Sequence, residues 1–486
     1  MLPWAVGPLF NRAPQYQNQY TLVNRDGKLG VSALSRRVLA LPPEVLAEIF
    51  FFCLPFDEDL LVTPDPGSAP LVLCAVCRQW RSVALSTPKL WSSIVFESDL
   101  VDIGISTPES AALYVDFCHE WLSRARSAPL SLQLYNCAAN PAAVNSLLEI
   151  ISGLSQQWQN IEIGGDLPSS HPVDGKYPFL EKLNIFSPPD DHPILSFHHA
   201  PRLRDVFIPV EYTTRLQLPW HQLTKFGTEK MGIEACLDLF RHAPNLAEAY
   251  LRIAPYGASA LPDTIFSLPQ LKSLNLGGAW ADDDDDDDVE VGEIMPMTLL
   301  NCLKAPALKT LALGFEHVRT RNVIDMSPFL SFVSQSAFHL DALTLSCLPI
   351  TMEALVECLK ATPSVIHLKL LIPNRVINMN PVFAAFTGHQ DFLPKLQSLD
   401  LRLLASSPTI DGSVVVDMLI WRCLTSEVAC LQSFLFSYKS RYIENHIKPF
   451  VTAHPVYPKL EASGANLCLE RTRFLRFRHP FMDILY

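Results

Sequence analysis

The 486-residue sequence predicts an α/β chain: a short N-terminal domain of three helices, then an irregular array of repeats whose strands form a parallel sheet. Three observations predict it. Residues 41–91 carry helical patterns with more apolar surface than so short a segment can bury, a proline-led leucine motif recurs seven times beyond them, and helix-like stretches separate several copies.

The first helix is expected over Val45–Leu54. Pro42 and Pro43 suit a first helical turn, where a missing N–H costs nothing, and Glu44 sits where the helix dipole favours an acid. Glu48 is the only polar residue from Val45 to Leu54, so apolar atoms run around nearly the whole circumference. One neighbouring helix cannot cover that surface.

The second helix, Leu71 to Leu85, is amphipathic: Leu73, Val76, Cys77, Trp80, Val83 and Ala84 recur at spacings of three and four, opposite Arg78, Gln79, Arg81 and Ser82. The third begins at Thr87-Pro88, an expected N-cap followed by proline, and carries Leu90 and Trp91. Three short helices make a core too small to be comfortably stable alone, so the surplus apolar surface should meet something else.

At these residues the sequence resembles the F-box, in particular the F-box-like domains of mushroom-forming fungi. The match runs through Leu41, Pro42, Pro43, Glu44, Leu46, Ile49 and Phe50, then Val76, Cys77 and Trp80, then Pro88, Leu90 and Trp91. It departs from compact family members in the long Pro- and Asp-rich loop Pro55 to Pro70, an insertion that costs little closure entropy.

The repeat is a proline two residues before an apolar anchor, followed by x-x-L-x-L. Its copies begin at Pro178, Pro201, Pro244, Pro269, Pro306, Pro363 and Pro394, with anchors Leu180, Leu203, Leu246, Leu271, Leu308, Val365 and Leu396. Weaker copies fit at Leu130 to Leu134, Leu223, Leu340 to Leu345 and Leu431 to Phe436, and Pro458-Lys459-Leu460 is a candidate for the last. The proline should stop the preceding helix, the anchor enters the core, and the alternation makes a strand with one buried face. Asn140-Pro141, Ser327-Pro328, Thr351 and Asn380-Pro381 look like helix starts between strands. Units too short to bury their own faces must stack in parallel, which resembles an irregular leucine-rich-repeat solenoid. Positions between the buried anchors, Asn184, Phe207, Asn275, Thr344, Lys369 and Asp400, should then face a target protein.

The expected organisation is a loosely ordered arm at 1–37, a helical domain at 38–98 and repeats over 110–486, with an acidic loop at 282–288. Hydrophobic residues at 49% and charged residues at 18% indicate a large core rather than disorder. A net charge of -12 argues against general nucleic-acid affinity, which needs clustered cations. The 12 cysteines are scattered through apolar periodic segments, as reduced buried cysteines are. No apolar run approaches the roughly 18 residues of a membrane span, and no secretory leader or Asn-x-Ser/Thr site stands out, so cytosol or nucleus is the expected compartment.

Four clusters invite chemistry and read more simply as structure. Cys74 and Cys77 form the only C-x-x-C, with no second pair at ligand spacing. Asp282 to Asp288 read as a solvated loop, and Arg471, Arg473, Arg476 and Arg478 around Phe474 and Phe477 as a charged edge strand closing the array. His192, His198 and His199, and the pair His119-Glu120, come with no catalytic or metal motif. No catalytic residue, metal or cofactor is therefore expected.

The resemblance implies a substrate-recognition adaptor of an SCF-type cullin-RING ubiquitin ligase, without bond chemistry of its own. Residues 41–91 would bind the Skp-type linker, which joins the cullin scaffold, and the repeats would bind the target. It implies a linker surface drawn from Leu41, Pro42, Pro43, Leu46, Ile49, Phe50, Leu90 and Trp91, with Trp80 in the domain's own core. The alternative is a leucine-rich-repeat interaction scaffold that recruits no ligase.

Overall fold

The computed structural model describes residues 41–55, 61–96, 107–135, 141–164, 175–185, 195–208, 216–253, 261, 264–278, 296–315, 323–373, 378–404, 408–425 and 428–471. The chain is mixed α/β and divides into two compact units, Met1–Pro219 and Trp220–Tyr486. Fourteen strands lie in parallel sheet, five in the first unit and nine in the second. The expected arm at 1–37 lies outside the described residues.

In the first unit, α1 (Pro43–Phe52) starts on proline with Glu44 in its first turn. Leu46 and Phe50, one turn apart, are fully buried, and the Phe50 ring lies 4.9 Å from that of Trp80. The expected single second helix is two, α2 (Leu71–Val76) and α3 (Arg78–Ser86). Cys77 between them is extended, and its Sγ accepts a hydrogen bond from the Trp80 N–H at 3.5 Å. That side chain caps α3 by satisfying an N–H that a helix start leaves free. The break turns Val76 out of the expected stripe and into solvent.

Thr87 was expected to cap a third helix. Its hydroxyl instead donates back to the Val83 carbonyl at 2.7 Å, and Pro88–Trp91 is a single 3₁₀ turn. Trp91 is fully buried, its indole N–H donates to Ala84 O at 2.8 Å, and its ring meets that of Trp121 at 4.9 Å. Satisfying the indole N–H is what lets so large a side chain be buried without a polar penalty. Trp121 belongs to α4 (Pro108–Ala125), which starts in a capping box between Thr107 and Ser110. It follows β1 (Ser93–Phe96), so the helical segment and the first strand share one core.

β1 pairs in parallel with β2 (Leu130–Tyr135), β2 with β3 (Trp158–Gly164), β3 with β4 (Lys182–Ile185), and β4 with β6 (Asp205–Phe207). The helix α5 (Pro141–Gly153) connects β2 to β3, and β5 (Leu195–Ser196) pairs separately with β7 (Leu216–Gln217).

The second unit runs β8 (Lys225–Met231), α6 (Ile233–His242), β9 (Glu248–Ile253), β10 (Phe266–Ser267), β11 (Ser273–Gly278), β12 (Leu303–Lys304), β13 (Thr310–Phe315), α7 (Ser327–Ser336), β14 (Ala342–Ser346), α8 (Met352–Lys360), β15 (His367–Ile372), α9 (Asn380–Ala385), β16 (Ser398–Leu403), α10 (Gly412–Leu424), β17 (Ser433–Tyr438), α11 (Lys448–Thr452), α12 (Tyr457–Ala462) and β18 (Asn466–Arg471). Its main sheet is ordered β8-β9-β11-β13-β14-β15-β16-β17-β18, every pair described being parallel, while β10 pairs with β12. The Leu-x-Leu alternation gives one apolar face: Leu274, Leu311, Leu343, Leu368 and Leu399 are in register and at most 2% exposed.

The proline of the motif has a job the sequence reading assigned differently. In all seven copies the anchor N–H donates to the carbonyl three residues earlier, just before the proline, at 3.1–3.3 Å. Each proline therefore holds the second position of a β-turn, for which its fixed φ is suited, whether or not a helix precedes it. All seven anchors are fully buried. The next N–H reaches the neighbouring strand's approach, as in Lys272 to Ala247 O at 2.7 Å and Lys309 to Lys272 O at 2.8 Å. Turn, anchor and strand thus form one unit that its neighbour completes.

One further expectation is corrected: Pro458-Lys459-Leu460 lies in α12, and the last described strand is β18, which carries Leu467 and Leu469. A helix does start at Ser327-Pro328, and the Asp325 carboxylate accepts the Ser327 N–H at 2.9 Å. Thr351 does cap α8, accepting the Ala354 N–H at 3.1 Å.

At the end of β11, a methyl group added to Gly278 would overlap the Phe315 ring, its register partner on β13. Gly278→Ala is therefore expected to lower the urea midpoint of unfolding by the equivalent of about 1–3 kcal/mol. An unchanged midpoint would show that Phe315 moves aside freely.

Candidate functional site

Two surfaces carry the residues that the sequence singles out. On α1 the apolar circumference divides into two faces. Leu46 and Phe50 point inward, while Val45, Ile49 and Phe52 follow one another along the outer face at 44%, 42% and 83% exposure. Val76, turned out by the break at Cys77, adds another apolar side chain at 55%. Beside them the Lys89 ammonium sits 3.6 Å from the centre of the Phe51 ring.

Of the expected linker residues, Pro42, Pro43 and Ile49 are exposed and Leu41 is half-buried. Leu46, Phe50, Leu90 and Trp91 are at most 1% exposed and so present no surface to a partner. The physical reason is that α1, α3 and the Pro88–Trp91 turn need those four side chains for their own small core. Phe52 and Val76 take their place on the outside. Sequence spacing alone did not separate the two stripes, because both are apolar.

The second surface is the sheet face opposite the leucines. In the first unit Gln133, Glu162, Asn184 and Phe207 are successive register partners. In the second, Tyr250, Asn275, Ala312, Thr344, Lys369, Asp400 and Leu435 are. All six positions expected to face a target therefore fall on these two rows. Thr344, Lys369 and Asp400 keep partial exposure, whereas Asn184, Phe207 and Asn275 are more than nine-tenths buried. A contact role needs surface that these three lack. Asn184 already donates its amide to Glu162 at 3.2 Å, and Glu162 also accepts from Gln133 at 2.9 Å. Asp400 is held by Arg402, at 3.0 Å between carboxylate and guanidinium.

The remaining clusters do not converge. Cys74 is buried and its thiol is pushed up chiefly by that burial, while Cys77 caps α3. His119, His198 and His199 are exposed, and Glu120 pairs with Arg124 on its own helix at 3.1 Å. No group of His, Cys, Asp or Glu able to hold a metal occurs among the described residues. His192, the Asp282 to Asp288 run and the arginines beyond Arg471 lie outside the described residues. Among the described residues, no helix is long and apolar enough to cross a membrane.

Burial pushes the thiols of Cys118 and Cys236 far above the usual range, that of Cys358 to about 12 and that of Cys347 to about 11. Cys53 and Cys430 are the exposed ones among the described cysteines. Iodoacetamide at about pH 8 should alkylate Cys53 and Cys430 before any of those four. Early labelling of Cys236, read by peptide mass mapping, would contradict the packing around α6.

Compared with known families and curated proteins, the chain matches no family model and none of the curated sequences.

Proposed function

We propose that the chain is a substrate-recognition adaptor of an SCF-type cullin-RING ubiquitin ligase. The N-terminal helices are an F-box-like domain that docks on a Skp-type linker and through it on a cullin, and the strand array is an irregular leucine-rich-repeat solenoid that holds a target protein. The observation that carries this reading is the outer face of α1, where Val45, Ile49 and Phe52 leave apolar side chains open. Water-exposed apolar stripes of this kind are interaction sites. The adaptor's contribution is proximity: tethering raises the effective concentration of a target lysine beside a ubiquitin-charged enzyme on another subunit.

A second reading, a repeat scaffold that recruits no ligase, draws support from the burial of Leu46, Phe50, Leu90 and Trp91 inside the chain itself. Capture of purified linker and cullin by the folded chain separates the two. Retention of the linker supports the adaptor; a folded chain that retains none leaves the scaffold.

A further inference from the structure

In the second unit, the start of α10 and the single π-helical turn Ile443–Ile447 that leads into α11 enclose an open cavity of about 400 Å³. Its walls include Asp411, Gly412, Tyr442, His446 and Phe450. Tyr442, His446 and Phe450 stand four residues apart, just before the π turn, within it and on α11. The Tyr442 and His446 rings are 4.9 Å apart, and Tyr442 and Phe450 are each about half exposed. Gly412 is what lets Phe450 approach: an added methyl carbon would lie 2.6 Å from its ring. A π turn inside helical structure is uncommon and frequently marks a functional site.

Asp411 is the one carboxylate among the residues lining the cavity, His446 is the one basic side chain, and neither lysine nor arginine joins them. The Asp411 carboxylate accepts the Ser413 N–H at 2.9 Å, which holds its pKa below the usual carboxylate value and keeps it ionised at neutral pH. An anion at the start of α10 would find that position taken by Asp411 and would be repelled. A bulky, weakly hydrated cation gains from the carboxylate and from the negative faces of the aromatic rings together.

We propose that this cavity binds a methylated ammonium group, the head of trimethyl-lysine or of choline. Asp411 supplies the counter-charge, and Tyr442 and Phe450 supply ring surface that a bulky methylated nitrogen covers better than a hydrated primary amine. The proposal does not rest on the ligase reading, since the cavity uses no residue of α1 or of the two register rows.

Titration of the full-length chain with tetramethylammonium, choline, trimethyl-lysine amide and lysine amide, followed by calorimetry, tests it. Saturable binding of the methylated ions is expected, with lysine amide and the neutral choline isostere 3,3-dimethylbutanol each about tenfold weaker or more. Tighter binding of trimethyl-lysine amide than of choline would assign a protein source, and the reverse a choline-bearing one. Asp411→Asn keeps a side chain able to cap α10 and removes the charge, so it should lose about tenfold in affinity while leaving the fold intact. Tyr442→Phe should bind as the wild type does and Tyr442→Ala should not. Equal affinity for the neutral isostere, unchanged binding by Asp411→Asn, or no saturation by about 10 mM tetramethylammonium would overturn the proposal.

Discussion

Replacing Arg422 with leucine is expected to destabilise the second unit by about 3–5 kcal/mol. Arg422 lies in the interior with no exposed surface, on the helix α10 among buried Val415, Val416, Met418, Leu419 and Cys423. Its guanidinium donates to three backbone carbonyls, Phe386 at 3.0 Å, Leu393 at 2.9 Å and Phe392 at 2.6 Å, and lies over the Phe386 ring. Burial lowers its pKa only to about 10, so it remains charged at neutral pH. The loop it clamps contains Leu393 at φ 46°, a backbone region that bulky side chains rarely occupy, at the first position of the seventh β-turn. Leucine fills similar space but takes the guanidinium away from the Phe386 and Phe392 carbonyls, while the Leu393 carbonyl keeps the Leu396 N–H, and each unsatisfied group costs about 1–3 kcal/mol. The check is a urea titration of the wild type beside Arg422→Leu and Arg422→Lys. Lysine should recover only part of the loss, because one ammonium cannot span three carbonyls held by a planar fork. Equal midpoints for all three would sink the assignment.

The second large effect separates binding from folding on a single helix. On the proposed docking to a Skp-type linker, Ile49→Asp with Phe52→Asp is expected to leave the unfolding midpoint nearly unchanged and to weaken linker binding by about a hundredfold or more, the scale of losing central apolar contacts. Leu46→Asp with Phe50→Asp should do the opposite in kind. It places two carboxylates where both native side chains are fully buried, so the helical segment itself should unfold, at a cost of several kcal/mol. Circular dichroism and linker capture, measured on both double variants, distinguish them. Should the Ile49/Phe52 variant hold the linker as tightly as the wild type, the outer face of α1 is not the docking surface.

Much of the strand array was legible because its signal is local. A proline, an apolar anchor and a two-residue alternation lie within eight residues, and the side-chain period of two then fixes which face each residue joins. That is why Asn275, Thr344, Lys369 and Asp400 fall on one register row as expected. How much of each remains accessible was not legible, since it depends on what the surrounding chain covers. Asn184 illustrates the point: its amide is occupied by Glu162, 22 residues earlier in the chain.

The same division holds for the helices. The sequence by itself determined that a helix follows Pro42-Pro43, though the structure ends it at Phe52 rather than Leu54, that Thr351 starts another, and that seven anchors enter the core, because caps, prolines and periodicity act over a few residues. Only the tertiary structure decided which apolar stripe of α1 turns inward, that Cys77 interrupts the second helix, and that Arg422 belongs inside. Those outcomes depend on partners distant in the chain. Ile49 and Phe50 are both apolar in the sequence, and only the packing of distant residues, the Trp80 ring at 4.9 Å among them, makes one of them core and leaves the other as surface.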